Sequence, residues 1–312
     1  MKTLKQFNSA IILNRSIAPN LMHLAFEWPK DLQPPLPGQF FTFLPSMVES
    51  SAGIILRRPL AFAGFEPKKN TANSSTSLSA IAHSIYQIRG PCTKALALQQ
   101  AGSYIDIIAS LGNSFPYPDR EEKVIIAGGG IGIGPMLFLA ASLAENIAIP
   151  EDHIENILKP LESSRSSKEM KLIFGFRSMP LVPSFKFKEA TGNNSIAKTW
   201  ERLLSGAFIA TDDGSKGFHG TVLDALEFLK KTDKLARFWH VYGCGPEAMI
   251  AKLAAFAKRN NFPAHLSAEQ WMACGIGACQ GCVLPARTGG YLRVCSDGPV
   301  FEANAIDWEA CL

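Results

Sequence analysis

Five of the seven cysteines in this 312-residue chain lie beyond residue 262, and four of them are spaced Cys274-x4-Cys279-x2-Cys282-x12-Cys295. A C-x4-C-x2-C run of thiolates holds [2Fe–2S] clusters. The residues in the gaps are small: Gly275, Gly277, Ala278 and Gly281. A loop that wraps a cluster must turn tightly and aim backbone N–H groups at the sulfurs, and glycine permits both. Zinc is the other metal that four thiolates can hold. Zinc sites, however, present paired C-x2–4-C knuckles, and here Cys295 stands alone. Cys311, beside the C-terminus, is left over once four ligands are assigned and reads as a non-ligating thiol. In a reducing compartment such clustered cysteines are ligands or catalytic groups in preference to disulfides.

A second chemical signal follows the short apolar run Val124–Ala127. Gly128-Gly129-Gly130-Ile131-Gly132-Ile133-Gly134-Pro135 leads from that run into a helical pattern. Glycines at such a turn let backbone N–H groups approach a pyrophosphate at a helix N-terminus. The run does not match G-x-G-x-x-G, because the sixth position from Gly128 is Ile133. Gly129-Gly130-x-Gly132-x-x-Pro135 instead resembles the nicotinamide-dinucleotide turn of the ferredoxin reductase family. Tyr242-Gly243-Cys244-Gly245-Pro246, ending a strand and opening a helix, agrees. In that family the Cys-Gly-Pro element sets its cysteine beside nicotinamide and flavin, so Gly129, Gly130, Gly132, Pro135, Cys244, Gly245 and Pro246 are expected at the cofactors. The alternative for Cys244 is a small buried core residue. The nearest histidine in sequence, His240, lies four residues back. Cys244 is therefore expected to let two rings approach and not to act as a covalent nucleophile, and no acid–base catalytic residue is assigned.

Arg57-Arg58-Pro59-Leu60-Ala61-Phe62 resembles the R-x-Y-S/T flavin strand of the same family. Arg58 would pair with a pyrophosphate through its planar fork; the alternative is a solvated arginine. Gly90-Pro91-Cys92-Thr93 resembles a later G-x-G-T turn whose Gly and Thr contact phosphates. The flavin set implied is Arg58, Pro59, Leu60, Ala61, Ile85, Tyr86, Gln87, Cys92 and Thr93. Two residues depart from the pattern. Ala61 stands where a hydroxyl hydrogen-bonds the flavin ring, a loss of about 0.5–1.5 kcal/mol. Cys92 stands where glycine is usual, so the turn either needs no positive φ there or is strained.

The elements that must position these groups fall into three stretches. Residues 1–118 carry short apolar or alternating runs at Ser9–Leu13, Leu21–Phe26, Gln39–Leu44, Ser79–Ile88 and Tyr104–Ile108, broken by glycine and proline, which predicts an antiparallel barrel. Lys68–Ser77 reads as a polar hairpin loop. Residues 119–262 alternate strands (Val124–Ala127, Leu172–Phe176, Phe208–Ala210, Phe238–Tyr242) with helices (to about Ala144, Val222–Lys231, Pro246–Lys258), which predicts a doubly wound parallel sheet. Asn146–Met170 reads as a surface insertion. Residues 263–312 form a small domain stapled by its metal site. The fold class is thus multidomain, β followed by α/β: a flavin-binding β-barrel (1–118), an α/β dinucleotide domain (119–262) and a [2Fe–2S] domain (263–312).

Composition fits a soluble, cored protein, 47% hydrophobic and 19% charged. The net charge of +4 is scattered, without the basic patch of a nucleic-acid or membrane-surface binder. No apolar run reaches the roughly 20 residues of a membrane span. The first residues lack the apolar core of a signal peptide, which points to the cytoplasm.

Taken together, the motifs resemble one family: the electron-transfer subunit of the NAD-dependent, two-subunit dihydroorotate dehydrogenase. The resemblance runs through Arg58-Pro59-Leu60, Tyr86 to Thr93, Leu111-Gly112-Asn113, Gly129–Pro135, Thr211-Asp212-Asp213-Gly214, Tyr242–Pro246, Glu269–Cys274 and Val294–Phe301. It implies FAD, a [2Fe–2S] cluster and NAD as cofactors. It also implies an FMN-containing catalytic subunit as partner in a heterotetramer, and a place in pyrimidine (UMP) biosynthesis. Related architectures serve NADH-dependent reduced ferredoxin:NADP+ oxidoreductases and sulfide dehydrogenases, and a zinc-stapled module without redox chemistry is the reading from another class. Arg177 with Ser178, after the second strand of the α/β stretch, is suited to a 2′-phosphate and hence NADP; the family resemblance favours NAD.

Overall fold

The computed structural model describes residues 5–45, 56–67, 80–119, 123–145, 169–186, 195–232, 235 and 239–311. The hairpin loop expected at Lys68–Ser77 and all but the end of the insertion expected at Asn146–Met170 lie outside these residues.

The first half is an antiparallel sheet of β1 (Lys5–Ala18), β2 (Leu21–Trp28), β3 (Phe40–Pro45), β4 (Arg58–Ala61), β5 (Gly64–Glu66), β6 (Ala80–Gln87) and β7 (Tyr104–Leu111), ordered β4-β3-β7-β1-β2-β6-β5. Strand β1 is long because it serves two neighbours. Its first part pairs with β7 up to Ala10↔Tyr104, and from Ile11↔Phe26 onward it pairs with β2. The edge strands β4 and β5 are joined by only Phe62 and Ala63, so the sheet closes on itself as a barrel. Its interior is a chain of rings: Phe26 against Phe41 (5.0 Å between centroids), Phe41 against Phe62 (5.0 Å) and Phe62 against Trp28 (5.5 Å). Such offset and edge contacts add to area burial.

One helix breaks the expected all-β stretch. The segment from Gly90 is not a bare turn: Gly90 caps α1 (Pro91–Ala97), proline opening the helix where its missing N–H costs nothing. Cys92 is therefore helical and is not among the positive-φ residues, which resolves its departure from glycine without strain.

The second sheet is ordered β11-β10-β9-β8-β12-β13-β16, where β8 is Lys123–Gly129, β9 Met170–Phe176, β10 Phe208–Thr211, β11 Phe218–His219, β12 Trp239–Cys244, β13 Ala264–Ser267 and β16 Val300–Glu302. All its pairs are parallel except β13–β16. Helices α2 (Ile133–Glu145), α3 (Ser195–Ser205), α4 (Val222–Lys231) and α5 (Glu247–Asn260) connect its strands. The order reverses between β8 and β12, and a doubly wound sheet opens its ligand crevice at that point. Helix α4 spans the residues expected and is closed by a capping box, Thr221 Nα donating to Asp224 Oδ2 (2.8 Å). Helix α3 was not expected, although Ile196, Ala197, Trp200, Leu203 and Leu204 bury one helical face.

The last stretch is tied into both others. Strands β13 and β16, both beyond residue 262, complete the parallel sheet. The short hairpin of β14 (Val283–Pro285) and β15 (Tyr291–Arg293) carries the chain from the third cysteine to the fourth. Asn113, after β7, donates from Nδ2 to Asp297 O (3.2 Å) and Val300 O (2.8 Å) and accepts from Val300 N (2.9 Å). Among the described residues no helix is long and apolar enough to cross a membrane.

Candidate functional site

The cysteine loop sets three of its four thiols against backbone donors. Ile276 N and Cys279 N point at Cys274 Sγ (3.5 and 3.4 Å), Gly277 N at Cys295 Sγ (3.1 Å) and Cys295 N at Cys282 Sγ (3.4 Å). Gly275 and Gly277 have φ of +71° and +82°, the conformations that aim these amides inward. Burial works against the Cys274 thiolate, but the N–H groups of Ile276, Cys279 and Ala278 bring the thiol down to about 6. Burial and the neighbouring Cys282 push Cys295 up to about 12. Cys279 acts on the Cys274 thiol, and Cys282, more than Cys274, acts on the Cys295 thiol, so the four sulfurs neighbour one another chiefly as two pairs. Among the described residues no three His, Cys, Asp or Glu side chains gather around one point for a single ion. Thiols neighbouring one another in two pairs, with backbone N–H groups aimed at their sulfurs, fit the two irons of a [2Fe–2S] cluster. Cys311 lies apart, donating to Asp307 O (3.3 Å).

The loop touches the barrel. A Cβ on Gly275 would lie 2.8 Å from Thr42 Cγ2 on β3. Thr42 is in turn the register partner of Pro59 on β4. One strand therefore separates the cysteine loop from the strand carrying Arg58-Pro59-Leu60-Ala61.

On that side two consecutive arginines diverge. Arg57 is half-buried and spent inside the protein, pairing with Asp106 Oδ2 (2.8 Å) and donating to Asp106 O (2.7 Å) and Thr42 Oγ1 (3.2 Å). Arg58 has no acidic partner among the described residues; its guanidinium makes only long contacts of 3.4 Å to the Leu56 and Arg57 carbonyls. Its charge reaches Cys92, where burial pushes the thiol up and Arg58 opposes that shift. The fold thus brings Arg58 to the start of α1. Thr93 Oγ1 accepts from Arg89 N (2.9 Å) and Gly90 N (3.1 Å), so its hydroxyl shapes this turn. Ser84 Oγ on β6 donates to Ala61 O (2.8 Å) and supplies a hydroxyl beside the alanine. The run Ile85-Tyr86-Gln87 splits by side. Ile85 packs against Gly134 of α2, Gln87 Oε1 accepts from Arg89 Nε (2.7 Å), and the Tyr86 ring is buried in the barrel, its hydroxyl donating to Asn14 Oδ1 (2.9 Å). The Tyr86 side chain thus belongs to the barrel core.

At the crevice between β8 and β12 the two glycine elements meet. A Cβ on Gly132 would lie 2.2 Å from the Cys244 carbonyl oxygen, so only glycine lets the turn close there. Gly129 packs on Pro246 and Met249. Cys244 is buried, and burial together with the carboxylate of Glu269 pushes its thiol up to about 12, Ser267 opposing by a hydrogen bond. At working pH it is a neutral thiol, which accords with a role in ring approach. Glu269 itself is pushed up by its surroundings, with Arg89 the opposing charge. Sequence reasoning gave Glu269 no role, because its distance from Cys244 along the chain hides its electrostatic influence there.

At the far end of the crevice the turn after β10 zips onto the end of β9. Asp212 N donates to Phe176 O (3.0 Å) and Asp213 N to Arg177 O (3.2 Å). Ser215 donates from N (3.0 Å) and Oγ (2.6 Å) to Asp213 Oδ1, and Ser215 Oγ accepts from Met179 N (2.7 Å). The backbone of Arg177 is thereby tied to the turn that carries Asp212 and Asp213.

A family model described as the iron–sulfur cluster binding domain of dihydroorotate dehydrogenase B matches residues 269–307. Among solved structures, that of the NADH-dependent reduced ferredoxin-NADP oxidoreductase covers 97% of this chain and 90% of its own at 20% identity and a TM-score of 0.69. Phthalate dioxygenase reductase covers 96% and 77% at 17% identity and 0.50. These two likenesses show the shared reductase-like fold. The electron transfer subunit of dihydroorotate dehydrogenase B (NAD(+)) from Caldanaerobacter subterraneus subsp. tengcongensis is 29% identical over 305 residues, 96% of this chain and 98% of that protein. With the Shouchella clausii subunit of the same name the identity is 30% over 308 residues, 97% and 98% of the two chains, and the chain accordingly belongs to the family of dihydroorotate dehydrogenase B (NAD(+)) electron transfer subunits.

Proposed function

We propose that this chain carries electrons from an FMN-containing dihydroorotate dehydrogenase subunit through a [2Fe–2S] cluster and FAD to NAD+, in the cytoplasm, as one half of a heterotetramer serving pyrimidine biosynthesis. The observation that carries the reading is the contact of Gly275 with Thr42, which sets the cysteine loop one strand from Arg58. When bound, flavin exchanges hydride with nicotinamide and single electrons with an iron–sulfur cluster, and so converts between the two.

The chain's own residues supply position and charge. Cys274, Cys279, Cys282 and Cys295 would ligate the cluster. Arg58, without an acidic partner among the described residues, would neutralise the flavin pyrophosphate, with Gly90 and Thr93 shaping the turn beside it. Ser84 stands where it can take the place of the hydroxyl missing at Ala61. Gly129, Gly130 and Gly132 would admit the nicotinamide dinucleotide, and Cys244, Gly245 and Pro246 would let its ring lie against the flavin. The three domain ranges read from the sequence are kept as functional units, with the last sharing its sheet with the second.

Reconstituted protein would show flavin and iron–sulfur absorbance and would be bleached by NADH in both bands. Mixed with the catalytic subunit and dihydroorotate, it would produce NADH. Protein that binds zinc in place of iron and takes up no flavin would sink the proposal.

A further inference from the structure

Glu269 stands out among the ionisable groups that the proposed route does not use. It follows β13, two residues past Ser267, the register partner of Cys244. It lines one small concavity with Gly245, Ala268 and Glu247. Its side chain is exposed at the edge of this concavity. Among the described residues its carboxylate takes part in no hydrogen bond or ion pair. Its electrostatic neighbours are the Cys244 thiol on the α/β side and Arg89, the barrel residue just before Gly90, on the other. The guanidinium of Arg89 is already tied at Nε to Gln87 Oε1 (2.7 Å). Glu247, in the first turn of α5, lines the same concavity, whose other side is Ile250, Leu284 and Trp308.

A crevice that receives nicotinamide meets two ligands of nearly equal shape and unequal charge. The oxidised ring is a cation; the reduced ring is neutral. Their diphosphate and adenosine parts are the same, so only groups near the ring can tell them apart electrostatically. A carboxylate beside the ring attracts the cation and has no net charge to attract in the neutral ring, and at an exposed site that attraction is sensitive to salt.

Resting on the nicotinamide crevice proposed above, we infer that Glu269 selects the oxidation state of the bound dinucleotide, its carboxylate holding the cationic ring of NAD+ in preference to the neutral ring of NADH. This selectivity favours uptake of the electron acceptor and release of the product in one direction of turnover. It adds to Cys244, which sets approach but carries no charge.

The test compares two ligands that leave the oxidised flavin unchanged: NAD+, and 1,4,5,6-tetrahydro-NAD, whose ring is neutral and donates no hydride. Both are titrated into the oxidised holoprotein. Glu269→Gln keeps the shape and removes the charge; it is expected to weaken NAD+ about ten-fold and to change the neutral analogue less than two-fold. In the wild type, raising the salt from about 0.05 M to 0.5 M is expected to weaken NAD+ more than the analogue, because screening acts on the ring charge. The salt arm needs no variant and stands even if Glu269→Gln loses its cofactors. Equal weakening of both ligands, or of neither, in the variant overturns the inference, as does a salt-independent ratio in the wild type. Wild-type holoprotein that binds neither ligand would mean that the nicotinamide crevice itself is misassigned.

Discussion

Gly275 lies against Thr42 so closely that a Cβ on the glycine would stand 2.8 Å from the threonine Cγ2, joining a loop near the C-terminus to the third strand of the chain. The same glycine has φ +71°. Gly275→Ala is therefore expected to cost about 1–2 kcal/mol for the left-handed backbone plus the clash, and to speed loss of the cluster. Iron and inorganic sulfide content over time measures it. Thr42→Ser removes the methyl and keeps a hydroxyl for Arg57, so the double variant should recover part of the loss; no recovery would place the whole cost in the backbone.

The four proposed ligands separate from the remaining cysteines by one assay. Serine at Cys274, Cys279, Cys282 or Cys295 should abolish normal iron and sulfide content and loosen the last stretch, since metal binding supplies folding energy there. Serine at Cys311 should change neither. Four single variants with normal iron would refute the assignment.

Adjacent arginines should fail in different ways. Arg57→Ala breaks the Asp106 pair and leaves its carboxylate half-buried, which should lower stability by about 1.5–3 kcal/mol with little direct effect on flavin. Arg58→Ala breaks no ion pair among the described residues and should lower FAD affinity with little change in melting temperature. Thermal denaturation of the apoprotein, set beside FAD titration, reads both.

Acid should weaken the contact of barrel and α3 before it reaches the carboxylates. His23 is buried, its Nε2 3.0 Å from His83 Nδ1, and Trp200 of α3 stands edge-on to its ring. Burial, then His83 and Arg15, hold its pKa well below 6.5. The unfolded chain thus takes up a proton near 6.5 that the folded chain refuses, so stability falls as the pH drops below that value, by at most about 1.4 kcal/mol per pH unit. Burial pushes Glu66 up, but His83 foremost, then Ile196 N and Ser195 Oγ at the start of α3, hold it below its usual range, so it keeps its charge in this window. Melting temperatures between pH 5 and 7 should show the slope in the wild type and a shallower one in His23→Gln; parallel curves would remove His23 from the account.

Cys244→Ala should slow flavin reduction by NADH roughly ten- to a thousand-fold, a barrier change of about 1.4–4 kcal/mol, while FAD and iron stay normal. With the thiol pushed up to about 12, the rate should show no thiolate titration below pH 9. Stopped-flow reduction across pH tests both; an unchanged rate in the variant would leave Cys244 a packing residue.

What the amino-acid order determined by itself was chemistry of short reach. Ligand spacing from Cys274 to Cys295, the glycines that let a chain turn under a pyrophosphate, and the amphipathic span of α4 depend on residues a few positions apart, and each was legible. The face of α3 was equally local, in Ile196, Trp200 and Leu203, but lay beyond a polar tract and went unread. Tertiary packing decided the rest. Nothing local tells Arg57 from Arg58; the position of Asp106 on β7 does. Tyr86 turns inward because Asn14 on β1 receives its hydroxyl. Gly275 meets Thr42, and the charge of Glu269 reaches Cys244, because closing the barrel and extending the parallel sheet with β13 and β16 bring distant segments together. Contacts of that kind arise from burying whole faces of sheets, a property of the assembled chain that no short window of sequence contains.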